Sequence, residues 1–323
     1  MKAVISIAYG APEVLQLADI AKPTPKNNEI LVKIHATAVS SGDVRLRKAD
    51  PFIIRLFFGL TKPNKPVLGY VLAGEIEAIG KGVKRFKTGD QVYATTGMAM
   101  GAYAEHICLA EEGVIAVKPG NMTYDEAAAI PFGGNTALYF LRKANIQAGQ
   151  NILIYGASGA IGTAAVQLAK HFGAHVTTVC SGANLELMKT LGADEVIDYT
   201  KEDFTKNGNS YNVIFETVGK SSFSAGVNSL TRNGTYIMAA GGLREMCQGL
   251  CTSLTSRRKV ISGVMSETAE DLVFYRKLIE SEKFIPVIDR SYPLEQIVQA
   301  HAYVDKGHKT GNVVITVGHD DIV

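Results

Sequence analysis

The sequence lacks any apolar run long enough to cross a bilayer. Its longest, residues 51–60, falls well short of the roughly 20 residues a spanning helix needs and carries Arg55 within it. The opening Met1-Lys2-Ala3-Val4-Ile5 goes straight into strand-like residues, without the charged region, apolar core and cleavage site of a secretory leader. Neither sign of charge dominates: a formal net charge of +2 is too small for a general polyanion binder. The densest basic run, Arg257-Arg258-Lys259, has no aromatic neighbours on which bases would stack and reads as a solvated turn before a strand at Val260. No nucleic-acid partner is expected, and no stable membrane insertion. Cysteine is scarce. Cys108, Cys180, Cys247 and Cys251 show no paired metal-knuckle spacing. Cys247 and Cys251 can share a helix face, but two thiols without further Cys or His make a poor zinc site. Buried or inert thiols in a reducing, cytoplasmic setting are expected.

What is present points to a two-domain α/β chain. At 323 residues the sequence exceeds what one core usually serves. The first 120 residues are β-rich, with runs such as Ile30-Leu31-Val32-Lys33-Ile34 separated by tight turns at Gly80-Lys81-Gly82 and Lys87-Thr88-Gly89-Asp90. That texture suits a compact barrel. Beyond Pro119-Gly120, Thr123 with Glu126 three residues on forms a helix-start signal. Apolar strands are expected over 151–155, 175–179, 195–197, 213–215, 235–239 and 260–264, with helices between them such as 161–172 and 185–191. Six strands alternating with helices specify a doubly wound parallel sheet. From about Phe284 the chain returns to a strand, a helix over 294–304 and a last strand over 312–317. We therefore expect 123–283 to be inserted in a barrel domain made of 1–122 and 284–323, with the active site in a cleft between them.

The expected strand 151–155 runs into Gly156-Ala157-Ser158-Gly159-Ala160-Ile161-Gly162 and then into a helix. In that context the glycines have separate tasks. Gly156 permits a sharp turn, Gly159 lets backbone N–H groups approach a pyrophosphate, and Gly162 lets the helix pack on the strand. Ala157 departs from the strictest dinucleotide fingerprint; an ordinary strand–turn–helix is the bland alternative. After the second strand, Cys180-Ser181-Gly182-Ala183-Asn184 contains no acid before Glu186, so nothing in that loop repels a 2′-phosphate. No Arg or Lys lies there either. Ser181, Asn184 and Tyr199 supply neutral donors, and NADPH is favoured over NADH.

The chain resembles the medium-chain dehydrogenase/reductase family over essentially its whole length. The likeness rests on Ala8-Tyr9-Gly10-Ala11-Pro12, Val39-Ser40-Ser41-Gly42-Asp43, Gly69-Tyr70-Val71-Leu72-Ala73-Gly74-Glu75, Gly89-Asp90-Gln91-Val92, Gly101-Ala102-Tyr103-Ala104-Glu105, the glycine turn and Leu191-Gly192-Ala193-Asp194. It implies a GroES-like barrel, a Rossmann domain and a homodimer. Zinc-dependent members place Cys three residues before the aspartate matching Asp43, where this chain has Ser40. They place His-Glu after the glycine matching Gly69, where it has Tyr70-Val71. The cysteine cluster of a structural zinc lobe is also missing, so no metal is expected. The remaining resemblance is to the zinc-free quinone oxidoreductase-like branch. It implies NADPH-dependent hydride transfer to a quinone or α,β-unsaturated carbonyl, acceptors electron-poor enough to need no Lewis acid. It also places Thr136 beside the nicotinamide and Tyr199 near the adenosine 2′ position. That branch often has Asn in place of Ser40 and Lys in place of Asn184.

The candidate catalytic residues are Ser40, Asp43 and Tyr70. Each has a bland counterpart: Tyr70 hydrogen-bonds or protonates the reduced carbonyl, or is a packed barrel residue; Asp43 organises Ser40 and Arg45 or holds the nicotinamide ribose network, or is a turn cap; Ser40 is a polar substrate contact or simply leaves space. His35, His106 and His301 read as satisfied structural histidines. Residues 51–60 read as a buried packing helix, the wall or lid of an apolar substrate cavity, or a membrane-surface element. A second class of function, a low-turnover NADPH-binding redox sensor or scaffold, shares the glycine turn; Thr136 on the nicotinamide side favours catalysis.

Overall fold

The computed structural model describes residues 1–240 and 243–319, with no statement on the side chains of 243–247. In chain order, β1 (Lys2–Ser6) and β2 (Leu15–Asp19) form a hairpin. They are followed by β3 (Glu29–Val39), α1 (Ser41–Lys48), α2 (Ile54–Phe58), β4 (Val71–Ile79), β5 (Gln91–Thr95), β6 (His106–Ala110), β7 (Ile115–Val117) and α3 (Tyr124–Ala128). Next come α4 (Pro131–Lys143), β8 (Asn151–Tyr155), α5 (Ala160–His171), β9 (His175–Cys180), α6 (Leu185–Thr190), β10 (Glu195–Asp198) and β11 (Tyr211–Glu216). The rest is α7 (Phe223–Asn228), β12 (Leu230–Met238), α8 (Leu243–Thr255), β13 (Lys259–Ser262), α9 (Ala269–Glu280), β14 (Ile288–Pro293), α10 (Ile297–Asp305) and β15 (Asn312–Thr316).

The chain divides into two compact units, Met1–Phe132 with Thr268–Val323, and Gly133–Glu267. In the first, the sheet order is β14-β15-β3-β4-β5-β7, with β6 also on β3. The long β3 is buried along most of its length because it has neighbours on both edges and helices against it. The returning β15 pairs antiparallel with it, Val313 opposite Val39 and Thr316 opposite Ala36. Their apolar side chains share one core with Leu72, Ile76 and Ile297. The expected turn at 87–90 forms, with Gly89 at φ +88° and the Lys87 N–H donating to Asp90 Oδ2.

The second unit is a six-stranded, wholly parallel sheet in the order β10-β9-β8-β11-β12-β13. All six expected strands form: β8 matches its expected bounds, β9, β10 and β11 are longer, β12 starts five residues earlier and ends one sooner, and β13 covers 259–262 rather than 260–264. Val213, Ile214 and Phe215 pair with both β8 and β12 and are buried on both faces, which explains why they read as an unbroken apolar run.

The division falls at 132/133 and 267/268 rather than at the expected 122/123 and 283/284. Helix α3, whose Thr123–Glu126 capping box forms as read, packs on β3 and β4. Helix α9 is tied to the barrel by the Tyr93 hydroxyl donating to Leu272 O and by Asn121 Nδ2 donating to Ile279 O at 3.1 Å. Both helices follow their long-range partners rather than the periodicity of their neighbours in sequence.

Two other expectations change. Residues 51–60 do not form a buried packing helix: α2 has only five residues, and Phe52 and Phe57 are 68% and 75% exposed. Among the cysteines, Cys180 is buried and its thiol is pushed up to about 11, but Cys251 is exposed; the Cys247 side chain lies outside the described residues.

Candidate active site

In the second unit the glycine turn leaves the carboxyl end of β8, the strand flanked by β9 on one side and β11 on the other. This is where the crossovers diverge, and the point at which such sheets bind ligands. Gly156 takes φ +78°, and an added Cβ would lie 2.7 Å from Thr217 Oγ1 and 2.6 Å from the Val218 side chain. Only glycine fits both constraints. A Cβ at Gly162 would come within 2.4 Å of Gly156 O, so α5 starts in close contact with the turn. The backbone N–H groups of Ser158, Ala160, Ile161 and Gly162 have no hydrogen-bond partner among the described residues, whereas Thr163 N–H reaches Gly159 O. Four free donors with the positive end of a twelve-residue helix suit a pyrophosphate.

Neighbouring strand ends supply the rest of this surface. Asn184 Nδ2 donates to Ser181 Oγ at 3.0 Å, so these two residues after β9 are held together. Tyr199, just past β10, is half exposed, and its N–H donates to Cys180 O. Sequence reasoning missed Asp198. Its carboxylate accepts from the Thr200 hydroxyl and N–H and, more weakly, from Gly182 N–H, which lower its pKa and keep it ionised. It lies fourteen residues beyond Asn184 in sequence, and only strand pairing (Asp198 opposite Cys180) brings it there. Glu216 was missed too. Its buried carboxylate accepts from the N–H groups of Val218, Gly219 and Lys220 and fixes the turn that packs on Gly156. Burial raises its pKa despite those donors.

Helix α4 brings Thr136 to the same surface. An added Cβ at Gly133 would meet Ala160 O at 2.4 Å, so α4 crosses tightly on the start of α5. One turn further on, the buried Thr136 hydroxyl contacts Met265 Sδ at 3.0 Å, just past β13.

In the barrel unit, Ser40 and Asp43 close α1 with a reciprocal cap. The Ser40 hydroxyl donates to Asp43 Oδ2 at 2.6 Å, Ser40 N–H donates to the same oxygen at 2.9 Å, and Asp43 N–H returns to Ser40 Oγ at 3.1 Å. Burial raises the Asp43 carboxyl to about 6, against the lowering effect of these bonds and of Tyr103. Arg45, read as a possible partner of Asp43, is exposed: two positions along a helix it faces away. The buried arginine is Arg47, which donates to Gly10 O at 3.0 Å and to Asp305 Oδ2 at 2.9 Å. Behind Asp43, Tyr103 and His301 are both fully buried, with His301 Nε2 3.2 Å from the Tyr103 hydroxyl. Burial and the Arg47 charge hold His301 neutral, its pKa lowered to about 3.

Tyr70 sits edge-on to Phe132, ring centres 6.1 Å apart. Phe132 in turn covers Gly42, whose added Cβ would lie 3.3 Å from the Phe132 ring and 3.2 Å from Ser40 Oγ. Ser40 and Tyr70 are thus gathered around Phe132, which no spacing in the sequence flags. Among the described residues no group of three His, Cys, Asp or Glu side chains could hold a metal ion.

A GroES-like barrel and a six-stranded dinucleotide sheet together define an alcohol-dehydrogenase-type oxidoreductase. Residues 26–119 match the alcohol dehydrogenase GroES-like domain, and residues 191–315 match a family described as zinc-binding dehydrogenase. The chain belongs to the medium-chain dehydrogenase/reductase superfamily, in its quinone-oxidoreductase-like branch. It is 35% identical to a 2-methylene-furan-3-one reductase of Solanum lycopersicum, over 98% of this chain and 79% of that one. It is 33% identical to a chloroplast envelope quinone oxidoreductase homolog of Arabidopsis thaliana, over 93% of each chain. A solved quinone oxidoreductase from Coxiella burnetii superposes with a TM-score of 0.90 at 28% identity, covering 98% of this chain and 99% of that one.

Proposed function

We propose that this chain is an NADPH-dependent, zinc-independent reductase of quinones or α,β-unsaturated carbonyls. The observation that carries the reading is the glycine turn at the β8 switch point, with its four unpartnered N–H groups and with α4, the helix that carries Thr136, crossing on the same helix start at Gly133. The named relatives, an enone reductase and a quinone oxidoreductase homolog, support the acceptor class. A sensor needs only the adenosine half of such a surface, so Thr136 favours turnover.

When bound, the reduced nicotinamide supplies the hydride. The chain's own residues do the rest. Ser158, Ala160, Ile161 and Gly162 donate backbone N–H groups to the pyrophosphate, and Thr136 holds the nicotinamide end. Ser181, Asn184 and Tyr199 receive the adenosine 2′-phosphate, opposed by the nearby Asp198 carboxylate. The absence of an acid within residues 180–184 favours NADPH, and the Asp198 carboxylate keeps NADH usable. Ser40 and Tyr70 place hydroxyl groups at the acceptor, with Asp43 holding Ser40 in one rotamer. Water supplies the proton that completes reduction.

The decisive assay follows NADPH oxidation by absorbance with a panel of quinones and enones. Saturable turnover is expected; tight NADPH binding without turnover would favour the sensor. As part of the same proposal the chain forms a homodimer through β13, an edge strand paired among the described residues with β12 alone and flanked by the 89%-exposed Val264. Light scattering at micromolar concentration should give twice the chain mass; a monomer rejects this interface. A reducing, cytoplasmic setting is part of the same proposal. Among the described residues no helix is long and apolar enough to cross a membrane.

A further inference from the structure

The segment around α2 presents an unusual surface. Phe57 is 75% exposed, Phe52 68%, Leu56 65%, Leu60 64% and Ile53 50%, five large apolar side chains within nine residues. Scattered exposed apolar residues need no explanation, but a contiguous cluster marks an interaction site. The backbone beneath them is tied down. The Tyr9 hydroxyl donates to Gly59 O at 2.8 Å, Asn64 N–H reaches Phe58 O at 2.7 Å, and the Arg55 guanidinium lies 5.0 Å from both the Tyr9 and Phe52 ring centres. The apolar groups are therefore held outward on an anchored platform.

The charge around them has one sign. Between Asp50 and Glu75 the chain has no acidic residue but carries Arg55, Lys62 and Lys65. Lys62 and Lys65 are exposed and take part in no ion pair among the described residues; the Lys65 ammonium reaches only Met98 O, at 3.4 Å. Met98 is itself 64% exposed and extends the apolar surface.

We propose that this face docks peripherally on an anionic lipid surface, with Phe52, Leu56, Phe57 and Leu60 entering the headgroup–acyl boundary and Lys62 and Lys65 meeting lipid phosphates. Exposed aromatic and aliphatic side chains with a cationic rim are the pattern of interfacial binding, and each Lys near an anionic leaflet adds to it. A symmetric contact with a second copy fits less well, because a two-fold axis would set each copy's Lys62 and Lys65 against the other's. The other exposed apolar cluster, Leu250, Leu254 and Val264, lies at α8 and β13, on the edge assigned above to the homodimer. Docking here requires no membrane-spanning helix and is independent of the reductase reading.

The test uses the full chain, floated with vesicles of phosphatidylcholine alone or of phosphatidylcholine with phosphatidylserine, at low and high salt. Binding to the phosphatidylserine vesicles is expected, with loss at high salt. Phe57→Glu should weaken it about tenfold, and Lys62→Glu with Lys65→Glu about thirtyfold. Unchanged thermal unfolding verifies that both variants fold. No binding, or equal binding to both vesicle types, overturns the proposal. So does self-association without vesicles that Phe57→Glu abolishes, which makes the occupant a second copy. A Phe57→Glu variant that keeps vesicle binding but raises KM for a water-soluble acceptor assigns the segment to the substrate path instead.

Discussion

In the nucleotide unit, the residues proposed to grip the cofactor are mostly one continuous stretch, 156–162, set by a strand, a turn and a helix. In the barrel unit, Ser40, Tyr70 and Phe132 come from three separated stretches and meet only through packing. The first arrangement is local, so spacing reveals it. The second depends on which strands pair and which helix covers them. The two also differ in tolerance. The glycine turn is confined by backbone on several sides, whereas the Ser40–Asp43 cap stores its consequence in a buried charge.

The largest effect is expected where backbone crowds. Gly156→Val combines an unfavourable φ with overlap against Thr217 and Val218, and should cost about 3 kcal/mol or more in folding, cofactor affinity or both. Denaturant unfolding with and without NADPH separates the two. A variant that keeps wild-type stability and NADPH affinity would show that the turn is not confined as described.

Asp43 is the corresponding weak point of the barrel unit. Its folded pKa of about 6 lies above the ordinary 3.8, so the folded chain holds this proton more tightly than the unfolded chain does. The stability it contributes is complete below pH 3.8 and is lost as pH rises through 6. His301 acts in the opposite sense. Its pKa of about 3 is below the ordinary 6.5, so its contribution is present above 6.5 and lost as pH falls towards 3. Asp43→Asn should remove the decline between about pH 4 and pH 6, gaining roughly 2 kcal/mol at pH 8 relative to pH 4 when each is compared with wild type. The acid-side loss should remain. Parallel pH–stability curves for the two proteins would contradict a buried, strained carboxylate.

A smaller effect is expected at the adenosine end. Asn184→Lys adds a charge-assisted bond to the 2′-phosphate and should tighten NADPH about tenfold while leaving NADH nearly unchanged. Asp198→Asn should act in the same direction by a few-fold, because it removes an ionised group beside Gly182. Fluorescence titration with both cofactors checks this; equal changes for NADH would detach these residues from the 2′ position.

The legibility of the sequence follows the same division. The six parallel strands, the Thr123 cap and the glycine turn were readable because each is specified within about a dozen residues. Asp198, Glu216, Gly133 and Phe132 were not, because strand register or helix crossing gives them their neighbours. The unit boundaries shifted for the same reason: α3 and α9 fall within the expected insertion 123–283 but are bound to barrel strands. At residues 51–60 the aromatic run suggested burial, and nothing in the run itself shows that the surrounding chain fails to cover it.

The central claim is that the chain is an NADPH-dependent reductase that needs no metal. Its most direct test is the rate of NADPH oxidation with a quinone and with an enone, measured before and after exhaustive chelation of the same preparation. The account predicts saturable turnover that chelation leaves unchanged. Turnover that disappears on chelation and returns with stoichiometric zinc would contradict it.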